Sequence, residues 1–219
     1  VISNKADMGV AFDGDGDRLV IVDNNGNILD GDDLLYVLVS RSPTDFYKSN
    51  QQGIIGTLMT NKSLESYLYK QGVNFHRTDV GDKYVLRELL ERGWKLGGEP
   101  SGHIISLNHA TTGDALVATL QLLASLSDLN FDISEALKGF DKLPQKLISF
   151  EVPDPYKTIM SSRVRLEVSK LEEKLKDHGR VLIRPSGTEK VLRIMVEASS
   201  KEKAENMALE LSQFIKATT

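Results

Sequence analysis

The chain has no cysteine, which excludes disulfide cross-links and thiolate metal sites. It also lacks any apolar run near the roughly 20 residues that a membrane-spanning helix requires. Positive charge is not in excess: 27 Lys and Arg against 31 Asp and Glu leave a net charge of −4. That balance argues against nucleic acid or an anionic membrane as the main partner. Internal repeats and low-complexity tracts are absent as well. What is present is ordinary for a folded globular protein: 40% hydrophobic and 26% charged residues exclude wholesale disorder. The 219 residues suffice for one large domain or two small ones. These features together point to a cytoplasmic location. The chain opens on VISNKAD directly before an apolar run, which reads as the middle of a longer protein whose N-terminal part is missing.

Residues 8–12 form an almost wholly apolar run of the kind a buried strand shows, and it delivers Asp13 at its end. Residues 19–22 read as a second strand closed by the turn signal NNGN. Asp30, Asp32 and Asp33 open an apolar helix at its positive end, and Ser42-Pro43-Thr44 closes it. Strand-like and helical patterns then alternate: strands at 53–58, 73–77 and 104–107, helices at 62–71, 83–92 and 114–126. Such an order predicts an α/β domain with a mixed, mainly parallel sheet and covering helices. Near residues 139–150 the pattern changes. Beyond it come a strand at 146–152, a Pro153/Pro155 linker, a short strand and a helix at 164–177, hairpin strands at 180–183 and 191–198, and a last helix at 201–215. This predicts a small C-terminal α+β domain.

Four loops carry residues suited to chemistry. In AFDGDGDRLV, Asp13, Asp15 and Asp17 alternate, so an extended loop presents them on one side. Three hard oxygen ligands without imidazole or thiolate suit Mg²⁺ or Ca²⁺ rather than zinc. The plain alternative is a solvated acidic turn, but carboxylates this close repel strongly without a cation between them. An EF-hand needs glycine at its sixth position and glutamate at its twelfth, where this chain has Arg18 and Asn24. The second loop is GGEPSGH, where Glu99, Ser101 and His103 offer an acceptor, a mixed donor-acceptor and a titratable group for a polyhydroxylated ligand. By itself it reads equally as plain turn chemistry. The third, RPSGTE, combines Arg184, Ser186, Gly187 and Thr188 into a cradle for a phosphate. Arg193 is either a second phosphate ligand or an exposed strand residue. In the fourth, TDVGDKY, Asp82 reads as a helix cap.

Two known families share parts of this pattern. An apolar strand followed by D-x-D-G resembles the nucleophile loop of haloacid-dehalogenase phosphatases, but those usually carry threonine or valine where Asp17 stands. A Ca²⁺-stabilised sugar-binding module also accounts for the acidic loop. FDGDGDR, GEPSGH and RPSGTE together, in this order, resemble the metal, sugar and distal phosphate loops of the α-D-phosphohexomutase family, and the resemblance covers essentially the whole chain. It implies a four-domain enzyme of which residues 1–25 are a remnant of the second domain, 26–139 the third and 143–219 the fourth. It further implies Mg²⁺ on Asp13, Asp15 and Asp17, with Arg18 on the transferred phosphoryl group. Glu99 and Ser101 are expected on sugar hydroxyls, and Arg184, Ser186, Gly187 and Thr188 on the non-reacting phosphate. His103 is expected in proton transfer or phosphate contact, or simply as a packed histidine. The implied partners are a small-molecule sugar phosphate and the missing N-terminal domains, which carry the phosphoserine. GNILDGD, VGDKYV and TTGDA place the chain nearest the branch acting on glucosamine phosphates; the mannose-phosphate branch more often has asparagine at Gly187. Lys190 and Lys83 depart from the family's common proline and arginine.

Overall fold

The computed structural model describes residues 1–42, 52–186 and 189–218. They form two compact units, Val1–Asp141 and Lys142–Thr219. In the first, β1 (Met8–Phe12), β2 (Leu19–Asp23) and β3 (Ile28–Leu29) make an antiparallel sheet in that order. The apolar β1 is not buried: Val10 and Phe12 are exposed, as are Val20 and Ile28 on its neighbours. β1 is an edge strand paired only with β2, so one partner and one packed face are all it has. The NNGN turn closes on Asp23, whose carboxylate accepts the N–H of Asn25 at 2.9 Å and that of Asn27 at 2.8 Å.

Helix α1 (Gly31–Ser40) starts with a capping box. Asp30 accepts the N–H groups of Asp32 and Asp33, and Asp33 accepts that of Asp30 at 2.9 Å. The end signal Pro43-Thr44 lies outside the described residues. The second sheet runs β5 (Asn74–Thr78), β4 (Gly53–Thr57), β6 (Leu96–Gly98), β7 (Ile104–Ser106); β4 is parallel to β5 and β6, and β7 is antiparallel. Helices α1, α2 (Lys62–Lys70) and α4 (Ala115–Ser125) cover one face through Leu34, Leu35, Leu64, Leu68 and Leu122 against Ile54. Helix α3 (Asp82–Arg92) covers the other through Val85 and Leu89 against Ile55 and Ile105. Each such leucine contributes about 1.5–3 kcal/mol by burial. Gly97 and Gly98, read from sequence as loop, are strand, because pairing on both sides outweighs the poor strand propensity of glycine. Helix α5 (Ile133–Ala136) is too short for a periodic signal.

In the second unit the antiparallel sheet runs β8 (Gln145–Glu151), β10 (Val191–Glu197), β9 (Arg180–Pro185), packed on α7 (Ser162–Leu175) and α8 (Lys201–Thr218). The expected linker and short strand are instead helix α6 (Pro155–Met160) followed directly by α7. Asp154 caps α6 by accepting the Lys157 N–H at 2.9 Å, and Pro155 takes the first helical position, where its missing N–H is harmless.

Candidate functional site

Strand β4 lies between β5 and β6, so chain connections leave it in opposite directions and a crevice opens at the strands' carboxyl ends. Two of the four loops meet there. The Gly81 N–H, after β5, donates to Glu99 Oε1, after β6, at 2.9 Å, and Glu99 is only 9% exposed. The predicted cap at Asp82 is not formed: Gly81 is the N-cap, and no side chain caps α3. Ser101 is exposed at the tip of its turn.

The acidic loop is fastened to this crevice by its backbone. Leu19 N–H donates to Gly102 O at 3.0 Å, Ala115 N–H donates to Gly16 O at 3.0 Å, and Arg18 pairs with His103 as an antiparallel bridge. Gly102 has φ +89, and a β-carbon there would sit 2.0 Å from Leu19 O, so only glycine fits. Within the loop, Asp13 Oδ1 accepts the N–H of Asp17 at 3.2 Å and of Arg18 at 3.1 Å, while Arg18 Nε stands 3.7 Å from Asp13 Oδ2. Desolvation pushes the Asp13 carboxyl up. The Arg18 N–H, the Asp17 carboxyl and N–H, and the Arg18 charge outweigh it and hold the group below its usual range.

One oxygen from each of Asp13, Asp15 and Asp17 lies within 4.8 Å of the others. Asp17 Oδ2 is 3.0 Å from His103 Nδ1, whereas Asp17 Oδ1 is buried without a hydrogen-bond partner. A buried carboxylate oxygen left unsatisfied is costly. An all-oxygen cluster with one such orphan fits a hard divalent cation. Asp13, Asp15, Asp17, Arg18, Glu99 and His103 are therefore gathered in the first unit. Reading the sequence did not single out Gly81 and Gly113. Gly81 supplies the Glu99 contact, and Gly113 abuts His103; the only signal for either was glycine inside a polar motif.

In the second unit, Arg184 and Arg193 stand directly opposite each other across β9 and β10, on the same face of the sheet. Arg193 is thus a half-buried neighbour of Arg184 rather than a free surface residue. Burial first, and the Arg193 charge second, push the Arg184 guanidinium below its usual value. Two like charges held side by side call for an anion. Ser186 is buried at the end of β9, its N–H donating to Val191 O at 2.8 Å. Gly187 and Thr188 lie outside the described residues. Farther along the same face, Arg180 and Glu197 also stand opposite, with Nε and Nη2 each 2.9 Å from a carboxylate oxygen.

Comparison with known proteins agrees with this geometry. A phosphoglucosamine mutase from an Azoarcus species is 47% identical over 208 residues, covering 95% of this chain and 46% of that protein. One from Aeromonas hydrophila is 42% identical over 219 residues, covering 99% of this chain and 48% of that protein. The chain spans about half the length of the curated relatives it matches. Among solved structures, Aspergillus fumigatus N-acetylphosphoglucosamine mutase in complex with GlcNAc-6P and magnesium superposes with a TM-score of 0.78 at 21% identity, over 93% of this chain and 47% of that one. A phosphoglucomutase/phosphomannomutase family protein from Burkholderia thailandensis gives a TM-score of 0.75 at 24% identity, over 99% and 49%. At such identities the likeness establishes the fold. Residues 30–143 match the alpha/beta/alpha domain III of phosphoglucomutase/phosphomannomutase and residues 147–213 match its C-terminal domain. The chain belongs to the phosphoglucomutase/phosphomannomutase family, of which it carries these two domains.

Proposed function

We propose that the protein to which this chain belongs is a phosphohexomutase that interconverts glucosamine 6-phosphate and glucosamine 1-phosphate. Phosphoryl transfer proceeds between the sugar and a serine outside this chain, through a bisphosphorylated sugar that turns over before returning its other phosphoryl group. The observation that carries the reading is the fastening of the three-aspartate loop to the Glu99–His103 loop in one crevice. Relatives at 42–47% identity named phosphoglucosamine mutase support the choice of sugar.

Asp13, Asp15 and Asp17 would hold Mg²⁺, whose chemistry is to neutralise charge on the transferring phosphoryl group. The chain's own residues do the rest. Arg18, exposed beside the aspartates, contacts the transferring group. Glu99, held by Gly81, and Ser101 accept and donate to sugar hydroxyls shared by both orientations of the substrate. Arg184 and Arg193, with Ser186, Gly187 and Thr188, hold the phosphate that is not reacting. Residues 1–25, 26–139 and 143–219 correspond in this reading to the end of the family's second domain, its third and its fourth.

The test is an assay of the complete protein on the phosphates of glucosamine, mannose and glucose. A preference for glucosamine phosphate of at least tenfold in kcat/KM is expected. A preference for mannose phosphate overturns the sugar assignment and keeps the family reaction. Mg²⁺-dependent hydrolysis of phosphate esters by the present chain alone, abolished by Asp13→Asn, overturns the mutase reading altogether.

A further inference from the structure

His103 sits between the two loops and is only 3% exposed. A histidine that transfers protons or grips a phosphate needs a ring nitrogen within reach of the ligand. Neither nitrogen of His103 has that freedom. Nδ1 faces Asp17 Oδ2 at 3.0 Å. Nε2 is buried without a hydrogen-bond partner, and a β-carbon added at Gly113 would lie 2.0 Å from it. The Arg18–His103 bridge and the Leu19–Gly102 hydrogen bond fix the backbone on both sides of the imidazole.

We propose that His103 is a positioning residue for the metal loop rather than an acid-base group. Its Nδ1–H holds Oδ2 of Asp17, which leaves Oδ1, the buried oxygen without a partner, as the one offered to a cation. Gly113 belongs to the same device: the absence of a side chain there lets the imidazole lie far enough back to reach Asp17. The TTGDA segment thereby acquires a task, since its glycine backs the histidine and Ala115 N–H secures the Gly16 carbonyl. This inference rests on reading the three aspartates as a cation site. Outer partners of this kind typically set metal affinity by about 10- to 100-fold.

The test uses Mn²⁺ as the probe, with affinity measured by calorimetry and by the paramagnetic signal of the free ion. His103→Asn keeps an N–H close to the position of Nδ1 and should remain within about threefold of the unsubstituted chain. His103→Phe keeps the bulk without a donor and should lose about tenfold or more. Gly113→Ala touches no carboxylate but displaces the ring, and should lose a similar factor. In a His103→Ser background, where the ring is gone, Gly113→Ala should cost nothing further. This cycle separates positioning from folding, because a glycine needed only for the fold is costly in both backgrounds. Equal Mn²⁺ affinity in His103→Phe and the unsubstituted chain overturns the inference and leaves the cation site standing. So does a Gly113→Ala penalty that persists in the His103→Ser background. No Mn²⁺ binding by the unsubstituted chain at millimolar concentration overturns the cation site itself, and the inference with it.

Discussion

The two units collect opposite charges by opposite means. In the first, three carboxylates are drawn together by a loop whose shape depends on backbone hydrogen bonds to Gly102 and Ala115. In the second, Arg184 and Arg193 are brought side by side by strand register, without any special backbone. The acidic site is therefore sensitive to glycine and tolerant of strand composition, and the basic site is the reverse. A second contrast lies within the hairpin, where the same register makes one opposed pair, Arg180 and Glu197, self-satisfied and leaves the other open to an anion.

The largest test of that contrast is Arg180→Met. Glu197 is fully buried, so removing its bidentate partner strands a charge and should cost about 3–5 kcal/mol in denaturant unfolding of the second unit. A loss below about 1 kcal/mol would mean that the pair is not what closes this end of the sheet. Next is Gly102→Ala, which combines a left-handed φ with a backbone overlap and should cost about 2–3 kcal/mol. Trp94, the single tryptophan, lies in the first unit and reports its unfolding by fluorescence.

In the complete protein, Arg184→Ala should raise KM about tenfold with a smaller change in kcat, since a charge-assisted phosphate contact is worth about 1.5–3 kcal/mol. Asp15→Asn should lower kcat with little change in KM, and an exchange of these patterns would exchange the roles of the two sites. Smaller is Arg193→Met, which should stabilise the anion-free second unit by about 0.2–1 kcal/mol by removing an opposed like charge. Added inorganic phosphate should erase that advantage, and its persistence in phosphate would dissociate the pair from anion binding.

The smallest effect concerns pH. Burial raises the Asp23 carboxyl, but hydrogen bonds from Asn27 side chain and backbone, Ser134 and Asn25 outweigh it and hold the group below its usual 3.8. A depressed carboxyl stabilises the fold fully above that usual value and loses its contribution as pH falls through the lower folded one. Asp23→Asn should flatten the acid limb of first-unit stability below about pH 4 and leave the neutral plateau parallel. An unchanged acid limb would show that the NNGN turn carries no such linkage.

Much of this arrangement was legible in the residues. The alternation of Asp13, Asp15 and Asp17 told of a shared side, and the three loop motifs in order told of the family. The burial of β1 was not legible, because an apolar run signals a strand but not what covers it. Helix α6 was hidden because Asp154-Pro155 serves both as a breaker and as a helix start, and only the capped structure distinguishes them. Whether Arg193 joins Arg184 depends on register across the hairpin, which spacing alone does not determine. The contact of His103 with Asp17 joins residues distant in the chain, and nothing local announces it.

The two backbone bonds that hold the acidic loop bear on whether it can be moved. AFDGDGDRLV looks like a portable cassette, a short stretch carrying its own ligands. Yet its shape is borrowed from the carbonyl of Gly102 and the amide of Ala115. Grafted between two strands of an unrelated scaffold, the same ten residues would keep their charges and lose their convergence, leaving three carboxylates that repel. A transplant that holds its form must carry the GEPSGH turn and the start of α4 with it.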